Sequence, residues 1–552
     1  MLERTIRNYT LQNAVKFKGK ANPGAIIGKI IAEHPELKSE IADVSRQIAK
    51  IVKEINRLSV EEQLEELREH APELLEKKEK EAHDLFAFLG IQPGQKVRTA
   101  FPPGPEKYPH IGHAKALIIN CELAKAYNGE FYLRFEDTNP TLVKKEFYDI
   151  MLKDFAWLGV EWDKLQYASD HMQLFYDYAE YLIKEGKAYM CLCSDEAVKK
   201  SRQNSIACAH RFHSPSENLK FWKEFPKLEQ GKAILRLKID LEHQNTTMRD
   251  PTIFRIIDEP HPRQGKKYRV WPNYDFQNAI MDGKFEITHR IRSKEFELRN
   301  ELQRWIQHSL NLHTTQIYEF ARFNLEGVES SGRIIREKIQ KGELLGWDDP
   351  SLTTLAALRR RGFTPDAIRN FVLSTGISKA EATLTWDDLI VQNRRILDAK
   401  AARLFFIDKP VKIRIKNVPH QTITLRKHPE HELGMRTFSI TEDFYIPEKD
   451  YRQLENGKLY RLVDCLNFVK QDSSLIFHSM EYEHYKREGH RTMHWLPLKG
   501  NVDASILMPN KELVKGIAEH AVHDLKTGDI VQFVRFGFSR LAAPGKFWYT
   551  HE

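Results

Sequence analysis

Cysteine is scarce in this chain, with five in 552 residues, too few for a disulfide framework. Long apolar runs are missing too: none approaches the ~18 residues that cross a bilayer. The opening residues, MLERTIRNYT, lack the apolar h-region of a secretory signal. Neither sign of charge dominates, since 85 Lys and Arg stand against 77 Asp and Glu for a formal net charge of +8. That balance admits a polyanionic partner and describes an ordinary surface equally well. No internal repeat or low-complexity tract is present. A disulfide-stapled secreted module, a helical membrane protein and a fibrous or disordered chain are thereby excluded, and a cytoplasmic globular protein is expected. The length exceeds what one core fills, so about three to five domains are expected.

What is present changes character along the chain. Ile41, Val44, Ile48, Ile51, Ile55 and Leu58 step by three and four, which predicts one apolar helix face. Ser59 with Glu62 reads as a capping box opening another helix, continuing through EEQLEELREHAPELLEKK. Residues 1–94 are therefore expected to form a helical appendage, with KFKGKANPG as a basic, flexible element inside it. From residue 95 to 345 the pattern is strand (KVRTAF), loop, helix, strand (GEFYLRFEDTNP) and helix (EFYDIMLKDFAWLGV), the beginning of an α/β doubly wound fold. Short strands and hairpin-like segments at about 190–285 predict an insertion between its halves. Residues 346–404 read as helical, and residues 405–552, with VKIRIKN, TITLRKH and DIVQFVRFGF, as β-barrels.

The stretch FPPGPEKYPHIGHAKALIIN, Phe101 to Asn120, places His110, Gly112 and His113 between a proline-rich loop and a helix. A helix N-terminus offers unpaired N–H groups and partial positive charge, which suits phosphate. Gly112 would let a ligand approach the backbone. Imidazoles can donate to phosphoryl oxygens without a permanent charge. An ordinary loop with two surface histidines is the alternative.

PHIGHAKALIIN followed by YLRFEDTNP resembles the signature region of class I aminoacyl-tRNA synthetases, particularly the glutamyl and glutaminyl group. MRDPTIFRI, VWPNYDFQNAI, ITHRIRSKE, LGWDDPSLTTLAALRRRGF, ARLFFIDKPV and DIVQFVRFGFSR agree in order. The resemblance runs from about residue 90 to the C-terminus and is closest to the archaeal-type glutamate–tRNA ligases. It implies a Rossmann-type doubly wound catalytic domain, an acceptor-end-binding insertion, a helical stem and β-barrel anticodon-binding domains. It implies L-glutamate, ATP with Mg2+ and glutamate tRNA as substrates, with glutamyl adenylate and pyrophosphate formed first. DNA and membranes are not implied as partners, and a monomer is. His110 and His113 would hold ATP phosphates, with Pro103, Gly104 and Gly112 shaping the ATP site. Glu136 would face the substrate amino group, and Tyr274, Asn278 and Arg292 the amino acid. Read without the resemblance, Tyr274 would be a core aromatic and Arg292 a solvated charge. Arg292 suits a carboxylate because its fork can engage both oxygens.

Three departures lie close to the chemistry. Where the family usually has an arginine that pairs with a substrate carboxylate, this chain has Ala100; Arg98, two residues earlier, is the expected substitute. The family's Glu-Pro-Ser-Gly loop is replaced by Gly104, Pro105, Glu106 and Lys107, of which Lys107 could restore positive charge while Glu106 would repel phosphate. The second signature loop, Lys-Met-Ser-Lys-Ser-like in the family, reads VESSGRIIREKI: Ser331 keeps the serine, Gly332 takes a lysine's place, and Arg333 or Lys338 is the expected replacement cation. Ser351 also stands where arginine is common.

Cys191 and Cys193, with Cys208 and His210, could hold zinc tetrahedrally, His213 competing; chance reduced cysteines are the alternative. Some synthetases of this group carry zinc in the corresponding insertion. Arg359, Arg360 and Arg361 are expected to meet tRNA phosphates, against a solvated face as the alternative. In RFGFSR, Phe533 and Phe536 are expected in barrel core rather than under splayed bases. A glutamine–tRNA ligase, a tRNA-binding paralogue with weak or lost catalysis, and an unrelated nucleotidyltransferase are the competing functions.

Overall fold

The computed structural model describes residues 2–17, 19–34, 37, 41–71, 74, 84–322, 324–325, 331–381 and 383–552. Two compact units result, Met1–Ala87 and Phe88–Glu552. No helix among the described residues is long and apolar enough to cross a membrane.

In the first unit, helices α1 (Leu2–Lys16), α2 (Pro23–Glu33), α3 (Ile41–Ile55) and α4 (Val60–His70) pack around one apolar cluster. The three-and-four periodicity of α3 buries Val44, Ile48, Ile51 and Ile55, while Ile41 stays exposed and Leu58 falls in the turn beyond. Both hydrogen bonds of the Ser59–Glu62 capping box form. The helix ends at His70, short of the expected continuation, and residues 75–83 lie outside the described ones.

The second unit begins with β1 (Arg98–Phe101), α5 (Ile111–Ala126), β2 (Glu130–Phe135), α6 (Lys145–Trp157), β3 (Lys164–Tyr167) and α7 (Met172–Lys184). An insertion follows: β4 (Ala188–Cys191), α8 (Asp195–Asn204), α9 (Pro215–Glu224), β5 (Ile234–Leu237), β6 (Thr252–Ile256) and β7 (Val270–Pro272). Its four strands form one antiparallel sheet. The chain then returns through α10 (Tyr274–Lys284), β8 (His289–Ser293), α11 (Arg299–Ser309) and β9 (Gln316–Phe320). The main sheet is fully parallel in the order β3-β2-β1-β8-β9. Connections from β1 and β8 leave in opposite directions, so a crevice opens where these strands end, the usual ligand position in such sheets. Gly129 makes the tight entry into β2 feasible, since a Cβ there would stand 2.2 Å from the Val97 carbonyl oxygen.

A short parallel pair, β10 (Asn324–Leu325) and β11 (Thr383–Leu384), accompanies the stem helices α12 (Gly332–Gln340), α13 (Leu355–Arg361), α14 (Pro365–Ser374) and α15 (Trp386–Lys400). Two seven-stranded sheets form the C-terminal part. One joins Ala402–Leu404 and Phe406–Asp408 to strands after Val502, and the other is built from strands between Pro410 and Pro497. Each wraps a core of its own. Alternation accounts for this: Pro410–Lys416 buries Ile413 and Ile415 and exposes Lys412, Arg414 and Lys416, which alternate with them. Phe533 lies fully in the core of the first sheet, with Phe536 packed against it.

Candidate active site

A cavity of about 540 Å3 occupies the crevice at the ends of β1 and β8, within the size range of small-ligand sites. Pro103, Gly104, His110, Gly112, His113, Glu136, Tyr274 and Arg292 all line it. The sequence is thereby folded so that groups 180 residues apart share one space.

The phosphate-like end is built by the loop before α5. Ile111 N–H donates to the Thr353 carbonyl (3.1 Å) and Leu355 N–H to that of Pro109 (2.9 Å), pinning the loop to the start of α13. Tyr108 stacks on Trp347 with ring centroids 5.2 Å apart. His110 caps α5: its Nδ1 accepts from Gly112 N–H at 3.1 Å, and His113 Nδ1 accepts from His110 N–H at 3.2 Å. With both Nδ1 atoms acting as acceptors, the ring proton of each neutral imidazole sits on Nε2. Burial pushes the pKa of His110 down to about 3, aided by the Lys107 and Arg322 charges, and lowers His113 as well. Both rings are therefore neutral N–H donors at any physiological pH. Gly112 serves this geometry: a Cβ there would fall 2.9 Å from His110 Cε1. The glycine makes room for an imidazole, whereas the sequence suggested room for a ligand.

The other end is ionic. Glu136, just beyond β2, is buried, its Oε1 holds no hydrogen bond among the described residues, and Arg134 Nη2 lies 3.6 Å away. Burial outweighs the nearby arginines and pushes its pKa up to about 8. Arg292 on β8 donates from Nη2 to Asn300, while Nε and Nη1 have no partner among the described residues. Tyr274 opens α10 and faces the same space, with burial pushing its pKa up to about 12. Among the described residues, a buried carboxyl oxygen without a donor and two guanidinium nitrogens without acceptors line one cavity, the complement of an amino acid's ammonium and carboxylate.

Not every expected residue reaches the cavity. Asn278 sits behind the wall, accepting from Arg134 (2.9 Å) and Arg290 (3.2 Å) and donating to Gln303 (3.0 Å). Arg98 is no substitute at Ala100. It lies at the opposite end of β1, ion-paired with Glu130 and Glu286 and donating to the Phe285 carbonyl. Ser331 stands at the N-cap position of α12, and Arg333 is 83 % exposed with Glu337 3.7 Å away; neither lines the cavity. Lys338 lies in the last turn of α12. Val328, Glu329 and Ser330 lie outside the described residues. The three arginines of α13 each have a partner within the chain, although Arg360 stays exposed. Arg359 pairs with Asp154 on α6, and Arg360 pairs with Asp348 over the Trp548 ring. Arg361, 4 % exposed, donates to the Pro350 and Thr550 carbonyls, which leaves it joining the stem to the C-terminal sheet instead of meeting solvent or phosphate. In the insertion, ligand atoms of Cys191, Cys193, Cys208 and His210 all lie within 4.8 Å of one another. His213 instead stacks on Phe221.

Several lining residues were not singled out from sequence: Gln277, whose side-chain nitrogen and oxygen are buried without partners among the described residues, and Arg255, Arg290, Glu295 and Arg322. Arg290 had a signal available, since it stands two before Arg292 on a strand and shares its face.

This architecture, a parallel-sheet crevice with a histidine-capped helix and β-rich appended domains, matches a known family. Residues 96–399 match the model "tRNA synthetases class I (E and Q), catalytic domain", and residues 401–476 and 466–542 match two anti-codon binding domain models of the same group. The chain belongs to the class I (E and Q) tRNA synthetases. Within that family it is similar to the glutamate–tRNA ligase of Pyrococcus furiosus, at 40 % identity covering 98 % of this chain and 97 % of that one. It is also similar to those of Methanothermobacter thermautotrophicus (37 %, 100 % of both chains) and Nitrosopumilus maritimus (38 %, 100 % of this chain and 99 % of that one).

Proposed function

We propose that the chain is a glutamate–tRNA ligase, activating L-glutamate with ATP to glutamyl adenylate and pyrophosphate and passing glutamate to the 3′ end of glutamate tRNA. The observation that carries the reading is one cavity with two unlike ends: neutral Nε2–H donors at a helix N-terminus, and Glu136 facing Arg292. Arg292 and Glu136 hold the α-carboxylate and ammonium. A carboxylate oxygen attacks the α-phosphorus of Mg2+-bound ATP, the bond to the β-phosphate breaks, and its electrons leave on pyrophosphate. His110 and His113 donate to oxygens whose negative charge grows in that step, with Lys107 as the neighbouring cation. Positioning and electrostatics suffice, without a covalent enzyme intermediate. The tRNA ribose hydroxyl then attacks the adenylate carbonyl and AMP departs. The enzyme works as a cytoplasmic monomer on this reading.

Aminoacylation of glutamate tRNA by the purified chain, with glutamate and glutamine assayed separately, tests it. Charging with glutamate is expected. Charging with glutamine alone would make the chain a glutamine–tRNA ligase, and tight tRNA binding without charging would make it a binding paralogue.

A structural zinc ion in the insertion belongs to the same reading. Cys191 Sγ lies 3.9 Å from Cys208 Sγ, and Cys193 Sγ 3.5 Å from His210 Nδ1, near the roughly 3.8 Å that a tetrahedral ion sets between its ligands. Bound there, zinc would tie the end of β4 to the segment before α9. Elemental analysis is expected to find about one zinc per chain. Cys208→Ser should lower that content at least tenfold and reduce tRNA charging more than pyrophosphate exchange; undiminished zinc in the variant would remove the assignment.

A further inference from the structure

Resting on the reading of this cavity as the glutamate-activating site, we infer that Arg290 receives the side-chain carboxylate of glutamate and is the residue that separates glutamate from glutamine. β1 and β8 run parallel with Thr99 opposite His289. The next residues along, Ala100 and Arg290, therefore lie side by side on one face, and both line the cavity. Ala100 contributes only a methyl group to that wall, leaving the space beside it to the neighbouring guanidinium.

Arg290 is anchored in a way that leaves most of its fork available. Its Nη1 donates to both Asp282 oxygens at 2.8 and 3.0 Å and to Asn278 Oδ1 at 3.2 Å. Among the described residues, all of its hydrogen bonds leave from that one nitrogen. Asp282 also holds Arg134 Nη1 at 2.9 Å and accepts from Gln303 at 2.9 Å, so the anchor is itself fixed. Such a guanidinium is rigid, desolvated and oriented before any ligand arrives, which favours planar bidentate carboxylate recognition.

Charge balance points the same way. Arg134, Arg290 and Arg292 oppose Asp282 and Glu136 in this buried cluster; Glu319, reached through Asn300, is already balanced by Lys379 at 2.8 Å. With both acids ionised, one positive charge is left uncompensated. Glutamate, at net charge −1, cancels it. Glutamine, neutral overall, leaves it buried and brings an amide whose N–H2 group meets a donor-only guanidinium.

The test is ATP–pyrophosphate exchange by the full-length chain with glutamate and glutamine as separate substrates, comparing wild type with Arg290→Val, Arg290→Lys and the double variant Ala100→Arg/Arg290→Val. Arg290→Val is expected to raise KM for glutamate and lower the glutamate-to-glutamine ratio of kcat/KM about 100-fold. Arg290→Lys, a charge without the fork, should fall between the two. The double variant returns a guanidinium from the adjacent strand and should recover at least a tenth of the wild-type ratio. A ratio unchanged in Arg290→Val while both substrates decline together would overturn the inference, because Arg290 would then only brace Asp282. If the valine variant does not fold, Arg290→Lys carries the test, and a wild-type ratio there overturns the inference equally. No exchange by the wild-type chain would overturn the functional reading itself; wild-type exchange with an unchanged variant ratio overturns this inference alone.

Discussion

Glu136→Gln is expected to raise KM for glutamate roughly 100-fold and, at the same time, to stabilise the unliganded protein above neutral pH. The binding half follows from removing the negative charge opposite the substrate ammonium in a desolvated site, where breaking a charge-assisted contact is costly. Its pH signature is specific. Burial holds the Glu136 pKa at about 8 in the empty cavity, whereas an ammonium beside it requires the ionised form. Below pH 8 glutamate binding must therefore expel a proton, and the wild-type KM should fall as pH rises towards 8, by up to tenfold per unit. Calorimetry at pH 7 in buffers of different ionisation heat should register nearly one proton released by wild type and none by Glu136→Gln. A KM flat between pH 6 and 8 would refute the assignment.

The stability half carries the opposite sign from a typical salt-bridged carboxylate. Glu136 has its folded pKa raised above the unfolded value, so the folded state binds the extra proton. Stability consequently falls as pH rises from about 4.5 to about 8 and levels off above. Glutamine removes that slope and should gain up to roughly 4 kcal/mol at pH 8.5 relative to pH 4.5. Urea unfolding of both proteins across this range reads it directly; parallel pH profiles would count against the buried neutral acid.

The legible parts of the site were those whose meaning is local. His110, Gly112 and His113 follow a strand and cap a helix within a few residues, and Glu136 immediately follows the next strand. What escaped depends on pairing between distant segments. Arg98 shares a face with Ala100 by alternation, yet β2 sets Glu130 opposite it and fixes it away from the crevice. Arg290 acquires its significance only once β8 lies against β1, 190 residues away in sequence. Arg359, Arg360 and Arg361 form one basic run in the sequence, but a helix turns about 100° per residue. Successive guanidiniums therefore reach α6, the Asp348 loop and the C-terminal strand at Thr550. A like-charge run on a helix is consequently poor evidence for a patch unless its members recur every three or four positions.

The largest effect on turnover is expected from Lys107→Ala. A bare glycine at 332 and an exposed Arg333 leave the start of α12 without a cation on the cavity, and Lys107 lies against that gap. A Cβ on Gly332 would stand 3.4 Å from Lys107 Cδ and 4.0 Å from the Trp347 ring. The lysine stem thus rests on backbone that a side chain at 332 would otherwise cover, and the residue lines the cavity beside His110. Burial lowers its pKa, and its charge in turn helps depress that of His110. A cation there acts on charge that develops as pyrophosphate leaves, so its removal should appear in kcat. Lys107→Ala is expected to reduce kcat for pyrophosphate exchange about 100-fold, the usual consequence of deleting one preorganised electrostatic donor, with KM for glutamate changed less than about threefold. Arg333→Ala should change kcat no more than about threefold, because its side chain lies in water where screening is strong. Adding Gly332→Lys to Lys107→Ala fills the vacated space with a lysine from the other side and should recover about tenfold. A large loss in Arg333→Ala combined with a small one in Lys107→Ala would instead place the operative cation on α12.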